Sequence, residues 1–289
     1  METIAELERM AAAHWRGTEE ERLGGWLLRA AGGFTGRANS ALPLGDPGLP
    51  VDAALAAVTR WYRARGLPPM IVVPRPLAGE PHDQRLDNQL SERGWLTRPG
   101  PAFVMLADLP LGTSPGTPLD ALPAGCEVRT SPEPDDAWAA RYHYRGQDHL
   151  PPVARQVLTS APEQSFVSIR TRDRGAGHGG GDGGGGDGGG GDGGGGDSGN
   201  GGEVLAIARL SIAGGWAGLT AVEVHPDHRR RGLGAAITAA ACREAGRHGI
   251  RQVFLQVEEG NAGAQALYRR LGFRYSHRYH YRVAPESGR

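Results

Sequence analysis

Ala221-Val-Glu-Val-His-Pro-Asp-His-Arg-Arg-Arg-Gly-Leu-Gly-Ala235 is the stretch on which the reading of this chain turns. Val222 and Val224 alternate as in a strand, and Pro226 ends any ladder because it has no N–H to donate. Arg229-Arg-Arg-Gly-Leu-Gly234 follows and leads into Ala235-Ala-Ile-Thr-Ala-Ala-Ala-Cys242, a run of strong helix formers. A glycine-rich turn between a strand and a helix leaves several backbone N–H groups pointing one way, beside the positive end of the helix dipole. Such a turn suits a phosphate. Glycine lets the backbone approach the ligand with no Cβ in the way, and arginine adds charge.

Two familiar phosphate motifs fail on single residues. A P-loop requires Gly-Lys-Ser/Thr, and all 32 basic residues of this chain are arginine. The third glycine of a dinucleotide fingerprint would fall on Ile237. What remains is Arg229-x-x-Gly232-x-Gly234 behind a Val-x-Val-His-Pro strand end, and this resembles the acetyl-coenzyme A loop of the GCN5-related N-acetyltransferases, the GNAT superfamily. A second block carries the same resemblance. Asn261-Ala-Gly-Ala-Gln-Ala-Leu-Tyr268-Arg-Arg-Leu-Gly-Phe273 matches the family pattern Asn-x-x-Ala-x-x-Leu-Tyr-x-x-x-Gly-Phe at every position. The likeness spans residues 124–283 and is only topological over residues 1–110.

At 289 residues the chain is long for one domain and comfortable for two. Lys+Arg and Asp+Glu both total 32, so net charge gives no argument for nucleic acid or an anionic membrane surface. Cys126 and Cys242 lie far apart, outside any metal-ligand spacing; one disulfide or two reduced thiols are both open, the latter expected in a cytosolic protein. The N-terminus has no apolar signal region, and no apolar stretch approaches the roughly 20 residues that cross a bilayer. A soluble, cytoplasmic protein without a metal, monomeric or homodimeric, is expected.

The expected fold class is α/β with mixed sheets: two GNAT-like domains in tandem, each a mostly antiparallel sheet flanked by helices. Residues 1–110 read as a degenerate copy, 111–123 as a Pro/Gly/Ser/Thr-rich linker, and 124–289 as the catalytic domain. In the first half the pattern predicts a helix over 2–14, strands at Trp26–Ala31 and Arg37–Leu42, and a helix over 53–65 capped by Asp52. A strand Met70–Val73 closed by Pro74, a helix His82–Arg93 and a strand Ala102–Leu106 follow. Arg93-Gly94-Trp95 parallels Leu271-Gly272-Phe273, a helix stop before an aromatic. Where the phosphate loop should stand, this half has Pro43-Leu-Gly-Asp-Pro-Gly-Leu-Pro50, a poor site for a pyrophosphate. In the second half a glycine-rich insertion over 174–202 repeats four glycines and an aspartate, with Asp182, Asp187, Asp192 and Asp197. It lacks the nine-residue period and apolar residue of a calcium-binding roll, so a flexible expanded hairpin loop is expected.

The resemblance implies transfer of an acetyl group from acetyl-coenzyme A to a primary amine of a small molecule or peptide, by direct attack. It implies that the main chain of Val222 and Val224 pairs with the pantetheine arm. The N–H groups of Arg229, Arg230, Arg231, Gly232, Leu233, Gly234 and Ala235 would hold the pyrophosphate, and Asn261, at the start of the following motif helix, is a further candidate for binding the coenzyme. Tyr268 is the candidate general acid, with a core tyrosine as the alternative. Glu223 is a candidate base, or equally a carboxylate paired with an arginine; Glu258 and His225 are weaker choices. Tyr142, Tyr144 and Arg145 are candidate acceptor contacts, or aromatic filling of a domain interface. Leu90 stands where the degenerate copy would need its tyrosine, and Asp83 where it would need its asparagine. A non-catalytic acyl-coenzyme A-binding sensor or scaffold is the competing class. His277 and His280, three apart in the last strand, point to opposite faces and read as packing residues.

Overall fold

The computed structural model describes residues 3–78, 85–112, 122–143, 150–172 and 202–285. The glycine repeat, Asp83, Tyr144, Arg145 and most of the expected linker lie outside them. The first half runs α1 (Ile4–His14), β1 (Glu19–Leu23), β2 (Trp26–Ala30), β3 (Leu42–Pro43), α2 (Val51–Arg63), β4 (Met70–Pro76), α3 (Arg85–Glu92) and β5 (Leu96–Asp108). The second runs β6 (Cys126–Ser131), α4 (Asp136–Arg141), α5 (Val153–Leu158), β7 (Glu163–Thr171), β8 (Val204–Ala213) and β9 (Trp216–Val224). It ends α6 (Leu233–Arg247), β10 (Gln252–Glu258), α7 (Ala262–Arg270) and β11 (Arg274–Val283).

Local chemistry explains the starts and stops. A capping box opens α1: Glu6 N donates to Thr3 Oγ1 at 3.2 Å and Thr3 N to Glu6 Oε2 at 2.7 Å. The predicted parallel between Gly94 and Gly272 is literal. Both have positive φ (75° and 93°), and the aromatic after each donates back across the helix end, Trp95 to Leu90 and Phe273 to Tyr268, each at 3.0 Å. Gly66 and Gly249 end α2 and α6 in the same way, through Leu67 to Tyr62 and Ile250 to Ala245.

One strand is unpredicted and three local expectations change. Glu19-Glu-Glu-Arg-Leu23 forms a strand although it has no apolar alternation, because it is an exposed edge whose only demand is backbone pairing with β2. Arg37–Leu42 is largely loop. Asn39 accepts from the N–H of Ala31 and Gly33 and donates to the carbonyls of Phe34 and Thr35, satisfying locally what a ladder would have satisfied. Asp52 lies inside the first turn of α2 rather than capping it, and its carboxylate pairs with Arg93 at 2.5 Å. Pro74 does not end β4, which is the sheet's edge strand, where a missing N–H is tolerated.

The two halves share a sheet. Eight strands run in the order β4-β11-β5-β10-β9-β8-β7-β6, and β1-β2-β3 form a smaller sheet joined to β4 by a parallel bridge, Ala41 to Ile71. Each half has therefore exchanged its last strand. β5 of the first half pairs with β10 of the second, and β11 of the second pairs with β4 of the first. The main core packs α6 and α7 on β7–β10, with Leu210, Ala217, Ile237, Ala241 and Val253 fully buried. A second core, around Trp15, Phe34, Trp138 and Phe166, covers the opposite face of β7–β9.

Candidate active site

β9 and β10 run parallel and pair from Trp216/Gln252 to Leu219/Leu255, and then part. The cause lies in β9. Its register against β8 jumps from Thr220/Arg209 to Glu223/Ile207, so Ala221 and Val222 oppose Ala208 alone, and Ala221 takes a φ of 51°. This is a β-bulge, which bends the strand and increases its twist. Beyond it, His225 donates to the Leu205 carbonyl at 2.8 Å. Pairing alternates along an antiparallel ladder, so Val224 turns its own N–H and C=O away from β8 and into the gap. Arg229 Nε reaches the Val224 carbonyl at 3.4 Å.

Past the gap the chain makes a 3₁₀ turn over Pro226–His228, and α6 begins at Leu233. Arg230 and Gly232 have φ of 63° and 80°, and residues 229–232 are exposed. No side chain caps α6, so the donors of its first turn face outward at the positive end of a fifteen-residue helix. A Cβ on Gly234 would sit 3.0 Å from Leu267 Cδ2 and 3.9 Å from Val224 Cγ2. The loop, β9 and α7 thus converge on one glycine.

On α7, Asn261 Oδ1 accepts from Ala264 N at 3.0 Å and caps the helix. Tyr268 is buried in the main core with its ring 5.7 Å from that of Phe273. Burial, with a smaller contribution from the Cys242 thiol, pushes its hydroxyl up to about 12. It therefore holds its proton at neutral pH, as an acid must. Leu90, its counterpart on α3, is fully buried and has no proton to give.

Val222 and Val224 pack on the α6 side of the sheet, while Glu223 lies on the other face. Its two oxygens accept from the backbone N–H of His143 at 3.0 and 3.2 Å, with His143 Nδ1 at 3.4 Å. Burial raises the Glu223 carboxyl, and the bonds from His143 oppose the rise. The partner is thus a backbone amide and an imidazole rather than an arginine. Tyr142 is buried in the second core with its ring 5.9 Å from Trp138, a packing position. Glu258 is exposed, and His225 Nδ1 accepts from Asp227 N at 3.2 Å. His277 and His280 do face opposite ways: one meets Glu8 at 2.8 Å, the other Asp87 at 2.9 Å. Cys126 and Cys242 are both free and buried. Among the described residues no helix is long and apolar enough to cross a membrane. The sequence reading passed over Arg209; a single cation inside the apolar run Val204-Leu-Ala-Ile-Ala-Arg-Leu was the signal it left unused.

Residues 2–176 match the family model described as "Probable histone acetyltransferase Rv0428c C-terminal", and residues 197–273 match "Acetyltransferase (GNAT) family". The chain is 22% identical to the uncharacterized N-acetyltransferase YobR of Bacillus subtilis (strain 168), over 98% of this chain and 99% of that protein. A GCN5-related N-acetyltransferase from Kribbella flavida superposes with a TM-score of 0.63 at 19% identity, covering 99% of this chain and 97% of the other. A tandem GNAT protein from the clavulanic acid biosynthesis pathway gives 0.60 at 17% identity, over 86% and 76%. These two likenesses concern the fold alone. The first family model spans more than half of the chain, and the second falls on the loop and the tyrosine helix: the chain belongs to the family of the Rv0428c C-terminal region and is a tandem member of the GNAT superfamily of N-acyltransferases.

Proposed function

We propose that this acyltransferase moves an acetyl group from acetyl-coenzyme A to a primary amine, at one site in its second half. The observation that carries the reading is the gap between β9 and β10, with the Val224 amide facing into it beside the uncapped start of α6. The gap accepts the pantetheine arm as an extra strand, with the main chain of Val222 and Val224 as its partner. The N–H groups of 229–235 take the pyrophosphate, and the arginines add charge without needing a fixed geometry.

The amine nitrogen attacks the thioester carbonyl carbon, and the carbonyl oxygen becomes an oxyanion that accepts from Val224 N–H. The carbon–sulfur bond then breaks, and Tyr268 gives its proton to the leaving thiolate. Glu223, on the opposite face, takes the proton lost by the attacking amine, directly or through water. Donor and acceptor therefore meet through the gap from the two sides of the sheet.

Thermal-shift titration with acetyl-coenzyme A, followed by thiol-release assays on a panel of amines, tests the reading. No stabilisation by the ligand would end it. Two variants probe its parts. Gly234→Val drives a side chain into Leu267 and Val224 and raises the Kd for acetyl-coenzyme A about ten-fold or more, with kcat at saturation less affected. Glu223→Gln lowers kcat/KM about 100-fold. Because the wild-type carboxyl sits above its ordinary range, wild-type kcat/KM falls as pH drops through that raised value. The glutamine variant loses this limb. A limb that survives the substitution assigns the base elsewhere.

A further inference from the structure

The sheet face opposite α6 carries, where β9 and β10 part, a cluster that the proposed reaction does not use. Thr220 and Gln256 are the first residues beyond the last paired positions. Arg209, opposite Thr220 on β8, donates from Nη1 to Thr220 Oγ1 at 3.3 Å and from Nε to the Leu158 carbonyl. Arg37 donates from Nη1 to Gln256 Oε1 at 2.8 Å. One arginine is thus moored to each arm of the gap. Both guanidiniums lie against the Trp15 ring, at 5.1 and 4.7 Å from its centroid, and Trp15 is fixed by Nε1 donating to Thr35 Oγ1 at 2.8 Å.

Arg209 is completely buried, and its Nη2 has no hydrogen-bond partner among the described residues. Among the described residues no carboxylate lies within 4.0 Å of either guanidinium. Arg37 and Thr220, the hydroxyl partner of Arg209, line with Glu8, His14, Trp15 and Gln256 part of a cavity with about 20 Å³ open to water. Its one carboxylate, Glu8, is engaged by His277 Nε2 at 2.8 Å. His14 is held neutral, its pKa pushed down to about 4 by burial and then by Arg209, and so adds no third positive charge to the cluster. A buried cation with a like charge beside it and no anion is costly. Burial and Arg37 together bring Arg209 down to about 9. A water in the cavity satisfies an N–H of Arg37 but supplies no charge. A carboxylate supplies both, and guanidinium forks suit its geometry.

We infer that Arg37 and Arg209 form a receptor for a carboxylate that a substrate carries into the gap between β9 and β10. One oxygen takes the place of a water in the cavity, and the rest of the group lies in the gap. Two sources fit: the acceptor amine's own carboxylate, or the far end of a dicarboxylic acyl chain. The receptor lies on the Glu223 side of the sheet, where the proposed reaction brings the amine. Only the choice of source rests on that proposal.

Calorimetric titration tests it without turnover. The coenzyme A-loaded protein is titrated with the N-acetyl derivatives of glycine, alanine and glutamate and with their C-terminal amides; the free protein is titrated with acetyl- and succinyl-coenzyme A. A carboxylate on the acceptor shows as an acid binding about ten-fold or more tighter than its amide. A carboxylate on the acyl chain shows as a similar preference for succinyl-coenzyme A. Either preference should vanish in Arg37→Gln and in Arg209→Met, with unchanged coenzyme A affinity reporting that each variant is folded. Acids no tighter than amides, together with succinyl- no tighter than acetyl-coenzyme A, overturn the receptor, as does a preference that Arg37→Gln retains. Failure to acetylate any amine while an acid still binds would instead count against the proposed reaction.

Discussion

Tyr268→Phe lowers kcat by about 10²- to 10⁴-fold and leaves acetyl-coenzyme A affinity nearly unchanged. The reasoning starts from what the substitution keeps. The ring stays against Phe273 and within the main core, so packing and stability are conserved, and only the hydroxyl goes. The hydroxyl matters because coenzyme A leaves as a thiolate, and a proton delivered to sulfur as the bond breaks makes that departure easier. Burial holds the Tyr268 proton up to about 12, so the acid is in its working form throughout the neutral range. No falling limb from this group is then expected below that value. Single-turnover thiol release measures the rate, and calorimetry with acetyl-coenzyme A measures binding. A kcat in the variant equal to wild type would assign the sulfur's proton to water and leave Tyr268 a core residue.

Much of this site was readable in the chain because its parts are local. The φ-positive residues of the loop, the cap at Asn261 and the glycine after α7 each depend on a few neighbours in sequence, and those neighbours carry the signal. What could not be read depends on distant pairing. The partition of β9 from β10 needs Ala221 and Val222 to oppose Ala208, a register that no single strand's sequence records. The exchange of β5 and β11 is equally silent, since Phe103 and Val104 alternate the same way whether their partner comes from their own half or the other. The acidic strand β1 was missed for a third reason: an edge strand has little apolar demand, so its pattern carries little information. Arg209 stood in plain view, but that its Nη2 finds no partner among the described residues is a property of the folded sheet.

The strand exchange has its own consequence at Asp87. This carboxylate on α3 of the first half accepts from Arg282 Nε at 2.7 Å and meets His280 Nε2 at 2.9 Å, both on β11 of the second half. Arg75 of β4 donates to its other oxygen at 3.3 Å. With a side chain only 7% exposed, Asp87 is the counter-charge of Arg75 and Arg282 and the hydrogen-bond partner of His280 where the two halves interlock. Asp87→Ala leaves Arg282 and His280 partly buried without it, and breaking such a cluster from one side costs about 3–5 kcal/mol. For a chain of this size that lowers Tm by on the order of 10 °C. Because the latch ties one half to the other, calorimetry should record a single wild-type transition, with the variant's also single or split by half. Burial works against ionisation of Asp87, but the bonds from Arg282 and His280 outweigh it and hold the carboxyl below its ordinary range. A depressed folded pKa means the contribution is whole above the ordinary carboxylate range and is lost as pH falls through the folded value. The Tm gap between wild type and Asp87→Ala should therefore be full near neutrality, begin to narrow only below about pH 4, and close at more acid pH. A gap that stays constant well below that pH would show that the carboxylate's charge is not what locks the exchanged strands.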